Sequence, residues 1–465
     1  MKKDILIPIV AAAIACAAVS CSAVRECKPV EMTLPAQLTS AADTACIADI
    51  EWWNLYGDPD LCSLIDMALQ HNREFLGAAA SVEQARQLYG ASKANLLPEI
   101  GVSAYAQRET YEYTGKKFVG DPEIGVKATL SWEADLWGNL RWSKKGGQAQ
   151  YQATLEDWRA MRISLIAETA TAYFNLVALD NELRIVRRTL ETRSEELAKA
   201  KLRYEGGLTS EIVYLQAQVE YNTAASLVPG LEKRIEAAQN ALAVLTGEFP
   251  GKQIERAPDV LTVPLPQEVP VGLPSALLLR RPDLRASTAR LAKATADVGV
   301  AYTDRFPRLV FSLKGGVENE QFANLFKQPF SFMAASLAGP LIDFGRRKRK
   351  YKAAVAAYDK ARNTYEQAVL TAFQETADAI VGYTKTREMA SSSSALRDAA
   401  RKYVNLAHLQ YTGGSISYLD VLDAQRRYFD AEVSYSNAVR DEKLALVTLY
   451  KALGGGWSPA DLPVY

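Results

Sequence analysis

Two histidines, His71 and His408, and five cysteines are the scarce reactive groups of this 465-residue chain. His71 precedes Asn72 beside a helix-forming run and reads as a surface or packing residue. Neither histidine has a second ligand type near it in sequence, and no CxxC pair occurs, so zinc and thioredoxin-like chemistry have little support. No Met or His cluster argues for soft metals. Paired carboxylates such as Glu195-Glu196 stand on a long helix-forming run without a pocket, and no nucleophile-base pair or phosphate loop accompanies them. An enzyme reading therefore has no constellation to stand on, and no cofactor or metal is expected. What remains is ion pairing. Leu419 and Asp423 are i,i+4 on one helical face, and Asp423 and Arg426 are i,i+3. The 54 basic residues balance the 54 acidic ones, which leaves no nucleic-acid footprint.

One cysteine suggests a covalent modification. Met1-Lys2-Lys3 is a short basic start, and Ile5 to Ser20 is apolar or small throughout, as in a secretory signal too short to span a bilayer as a retained helix. It runs to Ala18-Val19-Ser20-Cys21, which resembles a bacterial lipobox, although Ala18 stands where leucine is more usual. Acyl chains on Cys21 would anchor the mature chain, each buried CH₂ contributing about 0.8 kcal/mol. Ala13-Ile14-Ala15-Cys16 is a poorer candidate, and an ordinary secretory peptide is the alternative. Cys27, Cys46 and Cys62 remain in the mature chain, and outside the cytoplasm two of them could pair, with no pair preferred.

Proline placement shows which elements must position these groups. None occurs between Pro122 and Pro229 or between Pro340 and Pro459, and both gaps are rich in strong helix formers. Trp142 to Arg203 would make a helix roughly 90 Å long at 1.5 Å per residue, and Lys350 to Gln410 is its counterpart. Leu176, Leu183, Leu190, Leu197 and Tyr204 fall seven apart, with Leu179 and Val186 beside them, as in a packed coiled-coil seam. Each run ends at a glycine pair, Gly206-Gly207 and Gly413-Gly414, which predicts a sharp turn and a long helical hairpin. Pro229-Gly230 should kink or interrupt the first return limb.

The hairpins are copies of one unit. Gly138 and Gly345 lie 207 residues apart, as do Gly207 and Gly414, and Gly247 and Gly454, while Pro98 and Pro307 lie 209 apart. A period of this size is a duplicated domain, not a solenoid repeat. Before each hairpin come alternating runs, Ile100 to Gln107 and Glu123 to Trp132, then Leu309 to Leu313 and Phe330 to Leu337: four strands in two pairs. Periodicity leaves a small soluble sheet and a membrane-spanning one both open. If the strands cross a membrane, four cannot close a barrel, and several chains must share one. The basic run Arg346-Arg347-Lys348-Arg349-Lys350 at the second strand-to-helix turn is either a contact for anionic lipid or a solvated helix start.

Several motifs in order carry a family resemblance: Trp52-Trp53 with Asp58-Pro59-Asp60-Leu61, Asn72 to Phe75, Leu97-Pro98, Arg280-Arg281-Pro282-Asp283-Leu284, Pro340 to Gly345, Tyr418 to Arg426 and Tyr450 to Trp457. With the duplication, they make the chain resemble the TolC-like outer membrane factors, especially the lipoprotein channels of resistance-nodulation-division efflux pumps. The resemblance implies a mainly α fold with a small β part: a homotrimer whose twelve-stranded outer membrane β-barrel continues as a periplasmic α-helical barrel. The expected organisation is a signal peptide over 1–20, a lipid-anchored tether over 21–49, and a first repeat over 50–250 with strands about 99–113 and 123–133 and a hairpin about 141–247. A linker over 251–274, a second repeat over 275–457 with strands about 308–319 and 329–339 and a hairpin about 346–454, and a tail over 458–465 follow. The implied function is passive exit of drugs or other small toxic compounds, with a periplasmic adaptor, an inner-membrane pump and outer membrane lipid as partners. Tyr411, Leu419, Asp423 and Arg426 resemble the positions of a periplasmic gate. Offset by 207, the first copy has Ile212, Gln216 and Val219 opposite the last three, so the charged pair belongs to the second copy alone. Metal efflux, protein secretion and a lipid-anchored periplasmic scaffold are the alternatives.

Overall fold

The proline-free runs become two helices of 67 residues, each returning through a limb of 35. In chain order the computed structural model contains α1 (Pro59–His71), α2 (Arg73–Ala94), β1 (Glu99–Gln107), β2 (Thr110–Tyr113), β3 (Lys116–Val119), β4 (Glu123–Ala134), α3 (Asn139–Glu205) and α4 (Glu211–Leu245). After the linker come α5 (Pro282–Thr303), β5 (Arg308–Asn319), β6 (Pro329–Ala338), α6 (Arg346–Thr412) and α7 (Tyr418–Ala452). The structure describes residues 27, 30, 32, 51–108, 110–120, 122–256, 263–265, 280–339, 342–458 and 460–463. The expected signal peptide, Cys21, nearly all of the tether and most of the linker lie outside them. The repeat is visible in the element bounds: α3 and α6 start and end 207 residues apart, and α2 and α5 start and end 209 apart.

Two compact units divide the chain, and α3 and α6 contribute to both. The first unit, residues 1–32, 81–155 and 286–368, contains the sheet. Its four strands are antiparallel in the order β1-β4-β5-β6, so β1 and β6 are edges. The repeat offsets reappear in the register: Ile100 faces Leu130 in the first pair, and Leu309 faces Leu337 in the second, shifts of 209 and 207. Alternation sorts the two faces. Ile100, Val102 and Ala104 of β1 lie in rows with Val126, Ala128 and Leu130 of β4, then Leu313 of β5 and Met333 of β6. The opposite face carries Ser103, Tyr105, Gln107, Lys127 and Thr129 on β1 and β4, and on β5 and β6 it is mixed, with Val310, Phe330, Phe332 and Ala334 beside Ser312, Lys314 and Ser336. Unlike a soluble sheet packed on a core, the apolar face is open: Ile100, Val102, Met333 and Leu337 are exposed.

One strand feature departs from the four-strand expectation. The segment between β1 and β4 forms its own ribbon, β2 with β3. Thr114 and Gly115 between them have φ of 51° and 73°, the two left-handed residues of a type I′ hairpin turn. In the second copy the corresponding link is instead a 3₁₀ turn over Phe322–Lys327.

The second unit falls within residues 33–80, 156–285 and 369–465, and its described residues are mainly helical. Trp52, Tyr56, Leu61, Ile65, Tyr173, Phe174, Leu446 and Tyr450 are buried together in its main core. Asp58 caps α1 by accepting from the Asp60 and Leu61 amides, and Tyr173 donates its hydroxyl to the same carboxylate. Lys443 is 2% exposed; its Nζ donates to the carbonyl of Val263, pinning part of the linker to α7, and burial pushes its pKa down to about 8. The limb α4 runs through Pro229 as one helix, so of the expected kink or interruption the interruption does not occur. Proline removes one amide donor, but Ala224 before it and Leu231 and Ile235 after it are all buried, so packing spans the missing bond. Both return limbs end on a left-handed glycine, Gly247 and Gly454, with φ of 76° and 73°.

Candidate functional site

Two turns reverse the hairpins, and both are built alike. Gly207 and Gly414 have φ of 72° and 73°, and the amides of Leu208 and Ser415 reach back to the carbonyls of Arg203 and Gln410, each at 2.8 Å. These are helix stops that require a residue without Cβ strain. The second turn is held further. Asp420 accepts from the amide and hydroxyl of Ser417 at 2.9 and 2.7 Å, and these hydrogen bonds lower its pKa. Its counterpart in the first copy, Val213, has no carboxylate to do this.

Behind the turns lies a polar network joining the two hairpins. Arg193 of α3 is 7% exposed and donates from Nη1 to the backbone carbonyl of Glu220 at 2.8 Å, with its side chain paired to the Glu220 carboxylate at 3.0 Å. That carboxylate also faces Arg426 of α7, at 3.7 Å. Glu196 accepts from Gln425 at 2.6 Å and lies 3.7 Å from His408. Burial raises the pKa of Glu196, against the opposing pull of Gln425 and the cations around it. The aromatic groups pair within each hairpin: Tyr204 stacks on Tyr214 at 5.8 Å, and Tyr411 tilts against Tyr418 at 5.6 Å. Burial also pushes the Tyr418 phenol up. Glu196, Lys199, Arg203, His408, Tyr411 and Tyr418 line a cavity of about 220 Å³, and Arg203 donates to the Tyr411 hydroxyl at 3.4 Å.

The residues expected at a gate are therefore only partly brought together. Tyr411 joins the cavity and Arg426 joins the network, while Leu419 is 54% exposed. Asp423 and Arg426 do not pair. Asp423 binds Arg427 at 2.7 Å on its own helix, one residue beyond the expected partner, in the i,i+4 geometry. Arg426 is drawn across to Glu220 instead. Sequence reasoning did not single out Arg193, Glu220, Gln425 or Arg427. A signal for Arg193 was present: the row beside the leucine seam continues from Leu179 and Val186 to Arg193 and Ala200, and Val186, Arg193 and Ala200 are all buried. A charge on a buried coiled-coil row needs a partner, and Glu220 supplies it.

This arrangement can hold helices together or release them. The outer membrane efflux protein family matches twice, over residues 64–248 and 273–455, one match per repeat. A solvent efflux pump outer membrane protein of Pseudomonas putida, SrpC, is 33% identical over 411 residues covering 87% of each chain. Outer membrane protein OprJ of Pseudomonas aeruginosa is 31% identical over 89% of this chain and 88% of its own. Among solved structures, the outer-membrane channel OprN superimposes with a TM-score of 0.86 at 29% identity, covering 93% of this chain and 99% of that one. The Campylobacter jejuni channel CmeC has the same fold, with a TM-score of 0.83 at 24% identity over 93% of this chain and 94% of its own. The chain belongs to the outer membrane efflux protein family: it is an outer membrane component of an efflux system and not an enzyme.

Proposed function

We propose that three copies of this chain form the exit duct of a tripartite efflux pump, closing one twelve-stranded barrel in the outer membrane above an α-helical barrel in the periplasm. One observation carries the membrane part of this reading. The sheet has one face lined mainly by apolar side chains along all four strands, an opposite face that is polar on β1 and β4 and mixed on β5 and β6, and two edge strands, β1 and β6. Transmembrane barrels show this alternation, and unpaired edges are not tolerated in hydrocarbon, so the edges call for further copies. A periplasmic adaptor and an inner-membrane pump complete the system, and acyl chains on Cys21, after a signal peptide over 1–20, would add a lipid anchor.

Conduction is passive, and control lies at the helical tips around Gly206-Gly207 and Gly413-Gly414. Tyr411, Leu419, Asp423 and Arg426 are the proposed gate, with leucines narrowing the pore and the tip network setting how readily the hairpins part. The support is the Arg193–Glu220–Arg426 link, which ties the first hairpin to the second within one chain. The substrate class is small organic toxic compounds, following relatives whose names specify solvent, toluene and pyoverdine efflux or export. The test is conductance of the purified protein in planar bilayers, alongside Leu419→Ala and Arg426→Ala. A closed wild type with larger conductance in the variants supports the gate. Wild-type pores as open as the variants would reject these positions, and absence of pores would reject the duct.

A further inference from the structure

The joint between the two copies is complete inside one chain, and its second half is left open. At the joint β4 pairs with β5, Ala128 opposite Gly315 and Leu130 opposite Leu313. Just beyond the strands, Trp137 stacks on Phe306 with ring centres 4.8 Å apart and donates Nε1 to the Pro307 carbonyl at 2.7 Å. Asn139 donates to the carbonyl of Val300 at 3.2 Å, in the last turn of α5. Trp142 lies so close over Gly299 that a Cβ there would sit 2.3 Å from the indole.

Each of these groups has a repeat counterpart. The 207 offset turns Trp137, Asn139 and Trp142 into Phe344, Arg346 and Arg349, and the 209 offset turns Phe306-Pro307 into Leu97-Pro98 and Gly299 into Gly90. The counterparts are uncovered. Phe344 is 95% exposed and Leu97 is 68% exposed, whereas Phe306 and Pro307 are half-buried. Among the described residues, nothing lies within 4 Å of where a Cβ on Gly90 would be. Phe344 also has a φ of 48°, a left-handed conformation that costs a bulky residue roughly 1–3 kcal/mol. A strained aromatic left uncovered by the described residues is a candidate contact for a neighbouring subunit.

We infer that β6 of one subunit pairs with β1 of the next in one register, Ala335 opposite Ala106 and Leu337 opposite Ala104 of the partner subunit. Phe344 locks that joint by packing on Leu97 and Pro98 of the partner subunit. The inference rests on the trimeric reading above and adds its residue-level geometry. Applying the two offsets to the β4·β5 pairing yields this register, and the side chains fit it. Ala335 and Leu337 continue the apolar face into Ala106 and Ala104 of the partner subunit; a one-residue slip would join the apolar face to the polar one. The same operation gives the basic run a role. Arg346 and Arg349 come to the last turns of the partner's α2, where the negative end of the helix dipole favours cations.

Cysteine cross-linking tests the joint. Opposed Cβ atoms on neighbouring strands lie ~4.5–5.5 Å apart, close to disulfide range. In full-length protein with Cys27, Cys46 and Cys62 replaced by serine, Ala335→Cys with Ala106→Cys should give a covalent trimer on mild oxidation of outer membranes, reversed by reductant. Ala335→Cys with Gln107→Cys, one residue out of register and on the other face, should not. Preferential trapping of the out-of-register pair in intact trimers overturns the register and leaves the trimer standing. Native mass of the unmodified protein tests the trimer itself, and a monomer there sinks both readings. The lock has its own readout: Phe344→Ala should lower the temperature at which the trimer dissociates in detergent, and Phe344→Trp should keep it. Equal dissociation temperatures for Phe344→Ala and wild type remove Phe344 from the joint.

Discussion

Replacing Glu220 by glutamine separates a link between hairpins from a pair within one helix. Glu220 is 15% exposed and carries two cations, Arg193 at 3.0 Å and Arg426 at 3.7 Å. Arg193 is 7% exposed, so removing its counter-charge is costly; breaking a buried pair runs about 3–5 kcal/mol. Arg193 keeps its bond to the Glu220 carbonyl, which brings the expected local loss to about 2 kcal/mol. Of the two Glu220 contacts, the one to Arg426 bridges the two hairpins, and with Arg426 half exposed it is worth about 0.5 kcal/mol per chain. If three tips open together, that is about 1.5 kcal/mol, or roughly a tenfold rise in open probability. Asp423→Ala removes an exposed pair on one helix, worth about 0.3–0.5 kcal/mol and linking nothing across the hairpins. Single-channel recording should therefore rank Glu220→Gln well above Asp423→Ala in open probability. Hydrogen exchange should loosen over residues 186–225 in Glu220→Gln alone. The reverse ranking, with Asp423→Ala the more open, would refute the reasoning and assign the barrier to contacts that Asp423 makes between subunits.

Other outcomes follow from the same contacts. Gly247→Ala should destabilise the helical unit by about 3 kcal/mol or more, because φ is 76° and the new Cβ would meet the His71 carbonyl at 2.3 Å. Gly207→Ala, at 72° but with open space around it, should cost only about 1–2 kcal/mol, and denaturant unfolding in detergent compares the two. Lys443 has a folded pKa of about 8, below its ordinary 10.5, so the unfolded chain binds more protons between these values. Stability should rise with pH across that window by up to ~3 kcal/mol, and fall as pH drops through 8; Lys443→Met should flatten the profile. The pKa of Glu196 is raised, so its contribution is present at low pH and lost as pH rises through the folded value. Glu196→Gln should thus protect amides near the tip more at neutral pH than at acid pH, relative to wild type, in hydrogen exchange.

The long helices were legible because their signals are local and repeated: proline-free runs of helix formers stopped by Gly206-Gly207 and Gly413-Gly414. Alternation showed the strands, but only pairing brings their apolar residues onto one face, and pairing is a long-range fact. The β2–β3 ribbon was hidden because its turn uses Thr114, which is uncommon in the left-handed region, before Gly115. Pro229 does not interrupt its helix, since a breaker acts on propensity while buried neighbours on both sides act on the whole helix. At the tip, spacing found the helix face of Leu419, Asp423 and Arg426 but not their partners. Arg426 had equal access in sequence to a carboxylate on its own helix and to one on another. Only the packed hairpins choose Glu220.

In the proposed trimer, duplication would let wall and gate be built from one unit. In such a wall, each copy would meet the next through the same joint, whether the next copy belongs to the same chain or to a neighbour. Trp137 and Phe344, or Gly299 and Gly90, can then diverge only within what that shared geometry tolerates. At the tip the proposed gate would free the two copies from that constraint, because a helical turn there would answer to the pore rather than to a repeated joint. Asp420 and Arg426 stand in one copy where Val213 and Val219 stand in the other, and the contact from Arg426 to Glu220 joins unlike hairpins. A tube of six equivalent hairpins could open only by moving all six alike. In the proposed trimer, unequal hairpins would let one hairpin of each pair carry the closing contacts while the other remained wall.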